Sequence, residues 1–358
     1  MARPNGWVCV AIAQALLLAV VACGGEKEKA EELTPQAKLA QALDPCANPQ
    51  GAGAEGMCKD AKLAQAGGAL SETLVEAASA ISPPGADQLV QNQQRWLAAQ
   101  KVECGMIDLE AAPTPEQATC LQAAMRERAQ DATTAVQQVG GYTFQRMEIT
   151  EATAVTAEAA AASGLGDDAP KAITRDIRFP RIDNAATPQA QRFNELVAQQ
   201  PQFRLEDQTE EQVSYAIAFA GPELISVRFD TYDYTLGAAH PNNGVRAVTV
   251  VMTSGQPLAA TDVFKAGSGW ENFLTTRALR ELTAQFRDAG FTPPRADVRD
   301  AVTKPHLWLV KAEGLTLLFP PYSFGGPHAL GGAEVTVPWA ELARFLNPQA
   351  PQPIRAPA

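Results

Sequence analysis

Three histidines are the near-neutral bases of this 358-residue chain: His240, His306 and His328. Two of them sit among glycine and proline, in Ala239-His240-Pro241-Asn242-Asn243 and Gly326-Pro327-His328. Loops of that composition hold a side chain at a turn, where an imidazole can exchange a proton, bind a polar ligand or brace the backbone. Tyr234, His240, Asn242, Tyr322 and His328 are therefore the candidate binding residues, a polar rim shared by two turns. His306 precedes Leu307-Trp308 at a strand start and reads as structural. Asp230 and Asp233 could work as paired carboxylates only from one face, and strand alternation places them on opposite faces. No Gly-x-Ser-x-Gly, His-Glu-x-x-His or Gly-x-x-x-x-Gly-Lys run is present, so no residue is assigned as catalytic, and the chain reads as a non-enzyme without a cofactor.

The remaining reactive side chains are cysteines. Cys46, Cys58, Cys104 and Cys120 all lie in the first third. An even set outside the cytoplasm reads as disulfides, with three pairings open. The sequence-local choice joins Cys46 to Cys58 and Cys104 to Cys120, closing loops of about 12 and 16 residues, each worth roughly 3 kcal/mol in chain entropy. A zinc site is disfavoured by the lack of any Cys-x-x-Cys and of histidine in that third, so no metal is expected.

Cys23 differs from these four. It ends an apolar run, Val8 to Ala22, that follows Arg3 and is shorter than the roughly 18 to 20 residues of a spanning helix. Ala19-Val20-Val21-Ala22-Cys23-Gly24 resembles the lipobox of a bacterial lipoprotein signal peptide. The resemblance implies cleavage after residue 22 and acylation of Cys23. Each buried methylene contributes about 0.8 kcal/mol, so several acyl (palmitate-type) chains hold a protein at a membrane. Gly24 in the next position resembles the outer-membrane address, so the expected location is the cell envelope, lipid-anchored and facing the periplasm.

The net charge of −11 becomes about −12 without the signal. Such a surface disfavours nucleic acid and suits a cationic partner. Residues 23–43, with Glu26 to Glu32 at their centre, read as a tether. Residues 44–138 carry helical spacing: Leu63, Leu70, Leu74, Ala77 and Ile81 on one face, then Leu89, Trp96 and Leu97, then a capping box opening at Thr114-Pro115-Glu116-Gln117. Residues 139–348 change to alternation. After a linker or long loop at 151–170, strands are expected at Val213 to Phe219, with Phe219 on the side of Val213, and at Ile225 to Phe229, Val245 to Met252, Leu307 to Val310, Leu315 to Phe319 and Glu334 to Val337. One main helix follows Ser268-Gly269-Trp270-Glu271, read as a capping box, and residues 349–358 read as a disordered tail. The expected fold is multi-domain: a small disulfide-linked all-α domain, then an α+β domain with an antiparallel sheet and one main helix.

Two resemblances follow. Cys46 and Cys58, Gln94-Arg95-Trp96-Leu97 with Cys104, and Cys120-Leu121 with Arg126 and Arg128 make residues 44–135 similar to the LprI-like family, with Gln100-Lys101 where the family has Arg-Asp and Met125 where it has tyrosine. Some of its members inhibit lysozyme. Phe179-Pro180, Phe193-Asn194, Tyr232-Asp233-Tyr234-Thr235, Gly237 to Pro241, Leu258, Asp262-Val263-Phe264, Gly314-Leu315, Phe319 to Tyr322, Gly331 and Val337-Pro338 make residues 140–347 resemble the extracytoplasmic region of the anti-sigma factor RsiV and of some peptidoglycan deacetylases. In RsiV that region binds lysozyme. Neither a sigma-binding part nor a deacetylase domain accompanies it here. Together the resemblances imply an envelope protein that binds lysozyme or another cationic cell-wall hydrolase, or, alternatively, a module that binds peptidoglycan or glycan.

Overall fold

A computed structural model describes residues 35–47, 49–199 and 208–355. The signal segment, most of the tether and Cys23 lie outside the described residues. Among those described, no helix is long and apolar enough to cross a membrane.

Five helices come first: α1 (Pro35–Leu43), α2 (Gly51–Lys59), α3 (Ala61–Ser79), α4 (Pro83–Glu103) and α5 (Pro115–Ala132). Their starts follow local chemistry. Asp60 accepts from the amides of Lys62 and Leu63, Ser82 accepts from Gly85 with proline at the first turn, and Thr114 and Gln117 form the reciprocal capping box. Leu63, Leu70 and Leu74 of α3 bury against Leu89 and Trp96 of α4 and Leu121 and Met125 of α5. Cys46 pairs with Cys58 and Cys104 with Cys120, fixing α2 and the 105–114 loop to this small core. Leu43, read as tether, is buried in it, because α1 presents one apolar face to α3.

A seven-stranded sheet follows in sequential order: β1 (Val136–Val139), β2 (Tyr142–Ala154), β3 (Ala172–Ile182), β4 (Thr209–Ala220), β5 (Leu224–Thr235), β6 (Asn242–Val251) and β7 (Gln256–Pro257). The 138/139 boundary read from the sequence falls inside β1. Gly140 and Gly141, both at positive φ, make the tight β1–β2 turn, and a Cβ at Gly140 would stand 2.1 Å from the Ala220 carbonyl oxygen. The alanine-rich 151–170 stretch runs from the end of β2 through α6 (Ala157–Ala162), so it is a loop within the sheet domain. Between β3 and β4 the chain crosses over through α7 (Pro188–Gln199), so these two strands pair in parallel while the other neighbours are antiparallel. Asn194 locks α7 down by accepting from the Ile182 amide at 2.7 Å and donating to its carbonyl at 3.0 Å.

The chain then adds α8 (Ala260–Val263), α9 (Trp270–Gln285), α10 (Arg295–Val302), a three-stranded antiparallel sheet of β8 (Trp308–Val310), β9 (Gly314–Phe319) and β10 (Ala333–Pro338), and α11 (Trp339–Leu342). Leu274, Ala278 and Leu282 of α9 pack with Trp308, Leu317 and Val335, and this core reaches the large sheet at Leu224 and Ala247. Ser226 Oγ accepts from the Val310 amide at 3.1 Å and bonds Thr249 Oγ1 at 2.8 Å, joining the two sheets.

The observed class is therefore a helical region with two disulfides followed by a sheet-rich domain with antiparallel pairing. Several expectations change. There is no single main helix, since α7 and α10 also bury apolar faces. Ser268 caps nothing: the N-cap of α9 is Gly269 at φ 81°, which turns the serine away. Phe219 leaves the face of Val213, Tyr215 and Ile217 because a bulge between Ile217 and Phe219 reverses its side. Within the expected tail, residues 349–355 are packed. Ala350 and Ile354 are fully buried, and Arg355 pairs with Glu223 at 2.6 Å. The apolar pair has a pocket to fill, which outweighs the polar, proline-rich composition around it.

The helical layer is joined to the sheet by charge. Glu148 of β2 receives two bonds from Arg128 of α5, at 2.9 and 2.5 Å, and one from Arg146 at 2.6 Å. Asp131 of α5 accepts from Arg146 at 2.9 Å and from Arg178 of β3 at 3.1 Å. Burial alone would push the Glu148 carboxyl up, but the Arg128 and Arg146 guanidiniums offset this and hold it at about 2. On α4, Asn92 and Arg95 donate to the carbonyls of Arg146 and Glu148, at 3.3 and 3.0 Å.

Glu148→Gln is expected to cost about 3 kcal/mol, because two buried guanidiniums then share the single carboxylate of Asp131, read as a lower midpoint in urea unfolding. With the folded carboxyl at about 2 against its usual 4.5, its stabilisation is full above pH 4.5 and is lost as the pH falls from 4.5 through 2. The E148Q protein should show a flatter stability profile across that window. All four helical-region cysteines should resist thiol labelling until reduced.

Candidate functional site

The β5–β6 connection and the loop after β9 meet at one edge of the sheet domain. The first carries His240 and the second carries Tyr322 and His328. The imidazoles of His240 and His328 stack, with ring centroids 4.4 Å apart and planes 16° from parallel. The Tyr322 ring lies 5.6 Å from His328 at 40°. His240 Nδ1 lies 2.9 Å from the Pro241 carbonyl oxygen, so this nitrogen carries the proton in the neutral ring and leaves Nε2 as an acceptor. Asn242 donates to Asp233 at 2.9 Å, across a register pair of β5 and β6.

Three of the five candidate residues, His240, Tyr322 and His328, thus meet, while Asn242, two positions after His240, is engaged with Asp233 on the sheet face opposite that of Asn243. Tyr234 does not join the rings. It sits on β5 opposite Glu210 and, by alternation, shares the sheet face of Tyr232. His306 lies apart at the start of β8. Burial, then nearby Lys304 and Arg246, lower its pKa. Asp230 is held by Arg228 through two 2.7 Å bonds, and Arg228 also pairs with Glu334 of β10.

Two features of the rim carry a cost. Tyr322 is 55% exposed and sits at φ 68°, a left-handed backbone that side chains rarely adopt. His328 Nε2 is buried with no hydrogen-bond partner among the described residues. A strained backbone thus holds an aromatic ring in solvent beside an unsatisfied imidazole nitrogen. Among the described residues no group of three or more histidine, cysteine or acidic side chains is placed to hold a metal.

Sequence reasoning missed the charged network of Arg128, Asp131, Arg146, Glu148 and Arg178. The i, i+2 spacing of Arg146, Glu148 and Thr150 was the available signal, since it marks one face of a strand with polar residues.

Residues 261–340 match the family profile DUF3298, a protein of unknown function, which spans Tyr322 and His328 but not His240. Among solved structures, the chain is similar to the crystal structure of a DUF3298 family member from Bacteroides fragilis NCTC 9343, at 14% identity and TM-score 0.41, covering 59% of this chain and 96% of that one. A DUF3298 family protein from Pseudomonas aeruginosa PAO1 gives 14% identity and TM-score 0.41, covering 58% of this chain and 96% of that one. No curated protein matches the chain.

Tyr322→Gly should raise stability by about 1 kcal/mol, because glycine adopts the left-handed backbone without strain. Thermal unfolding checks this, and an unchanged or lowered midpoint would show that the ring is held by packing instead.

Proposed function

We propose that this protein is an envelope-anchored lipoprotein that binds, and so inhibits or senses, lysozyme or a related cationic cell-wall hydrolase without catalysing a reaction. The observation that carries the reading is the exposed Tyr322 ring beside the His240–His328 stack, with Asp230 and Glu334 lining the groove that His328 also lines. An aromatic anchor within an acidic surround fits a basic protein surface: the ring supplies buried area, and the carboxylates steer encounter. The chain's net charge of −11 acts in the same direction.

The helical region does not itself offer the docking face. Arg95, Trp96 and Arg128, which carry its resemblance to lysozyme-inhibitor domains, face the sheet: Arg95 bonds the Glu148 carbonyl, and Arg128 lies 5.4 Å over the Trp96 ring and pairs with Glu148. That face is occupied within the molecule, so docking is assigned to the Tyr322 rim. The rim's polar groups orient one another, with His240 tied to Pro241, Asn242 to Asp233 and Arg228 to Asp230. They suit recognition more than turnover. The lipid anchor at Cys23 belongs to the same proposal and would hold the rim near the cell wall.

Calorimetric titration of the full chain, purified in detergent, with lysozyme should give one-to-one binding that weakens as salt rises. Tyr322→Ala should weaken it by about tenfold or more, as loss of an interface anchor does. Absence of binding at low salt would end this reading.

A further inference from the structure

The polar face of the large sheet is only partly covered. The helical layer lies over β2, and the β8–β10 subdomain lies over the opposite half of β5 and β6. Between them runs an uncovered band. Strand registers align Thr150 of β2 with Asp176 of β3, Asp176 with Gln212 of β4, Gln212 with Tyr232 of β5, and Tyr232 with Asn243 of β6. Five polar side chains therefore form one row across five strands, about 19 Å long at the usual strand spacing. Ser214 and Asp230 form a second row beside it.

The row floors a cleft of about 610 Å³, walled by Gln100 and Glu103 of α4 and by Glu127 of α5. A second groove of about 480 Å³ shares Asp230 and Asn243 with it and ends at His328 and Glu334. The two are one trough, running across the strands from the helical layer to the histidine rim. Its arginines are already matched: Arg128 by Glu148, Arg175 by Glu211, Arg178 by Asp176 and Asp131, and Arg228 by Asp230. Apart from the wall carboxylates Glu103 and Glu127, the accessible groups left to meet a ligand are uncharged hydroxyls and amides, namely Thr174, Gln212, Ser214 and Asn243. Aromatic surface stands at Tyr232 and again at the rim, with the unpartnered His328 Nε2 beside the far end.

We infer that this trough is a binding site for a linear oligosaccharide, lying across β2 to β6 and ending on the His328–Tyr322 rim. A chain of sugar rings offers hydroxyl donors and acceptors at each step for the amides and hydroxyls of the floor, and apolar ring faces for the aromatic side chains. Length matters, because the row extends over five strands and a single sugar would meet only part of it. The trough shares Asp230, His328 and Glu334 with the surface assigned to hydrolase docking, but its floor at Gln212, Ser214 and Tyr232 lies outside that surface, so a change at Ser214 reads sugar binding alone.

The test is titration of the full chain with chitohexaose, chitotriose and cellohexaose, in parallel with a hexalysine peptide. Ser214 is exposed on the trough floor, so Ser214→Trp fills the trough without entering a core. Ala198→Trp, on the exposed side of α7 beneath the opposite face, is the control. Binding of a hexasaccharide, tighter than of the trisaccharide and weakened by about tenfold in S214W but not in A198W, is the expected result. Asn243→Ala, which removes only a side-chain amide, should give a loss in the same direction should S214W fail to fold. Absence of binding by either hexasaccharide, equal affinity in wild type and the trough variants, or binding of hexalysine in place of the sugars would overturn the proposal.

Discussion

One buried ionic knot sets where the helical layer sits, and so how much of the sheet's polar face is left open to a partner. Glu148 of β2 is nearly inaccessible and is enclosed by Arg128 from α5 and Arg146 from its own strand, while Asp131 answers Arg146 and Arg178. Taking such charges out of water costs several kcal/mol per ion, and only close, multiply bonded geometry offsets that cost. The knot therefore specifies position more than it adds stability: the helical layer can sit in one place, where each guanidinium meets its carboxylate. Further hydrogen bonds reinforce that placement: Ser82 Oγ donates to the Asp183 carboxylate at 2.6 Å and Gln145 donates to the Gly85 carbonyl at 2.7 Å.

This placement leaves the polar face of the sheet uncovered over its middle strands. On the other face, Ile225, Val227 and Phe229 pack under α7 with Phe193 and Val197, so the sheet is dry where α7 covers it. The polar side is divided between the helical layer, the β8–β10 subdomain and the open trough. The Arg228 bridge from Asp230 to Glu334 ties the subdomain to the large sheet at the trough's end and holds the His328 loop over it. Fold and site are thus linked: the same alternation that sends apolar residues to α7 sends Thr150, Asp176, Gln212, Tyr232 and Asn243 to the trough.

Much of this was legible from residue patterns. Capping residues at Thr114, the leucine stripe of α3, the local cysteine pairs and the alternation of β5 each encode their element through short-range physics. The meeting of His240 with His328 was visible only as two similar glycine- and proline-flanked turns, since no local rule brings residues 88 positions apart into contact. Phe219 was misplaced because a bulge is set by pairing with a neighbouring strand. β2 and β3 were hidden because their buried face is charged: Arg146, Glu148 and Arg178 read as surface residues until the helices that match them are in place. Ile354 lay in a proline-rich end whose composition resembles a tail, and only the pocket it fills shows otherwise.

The central claim is that the Tyr322 rim is the docking surface for a basic cell-wall hydrolase. Hydrogen exchange of the full chain with and without lysozyme tests it without altering a residue. The account predicts slowed exchange in the 236–243 connection and the 320–332 loop, with the α3 and α7 amides unchanged. Slowing confined to the helical region, or no change anywhere at saturating lysozyme, would contradict it.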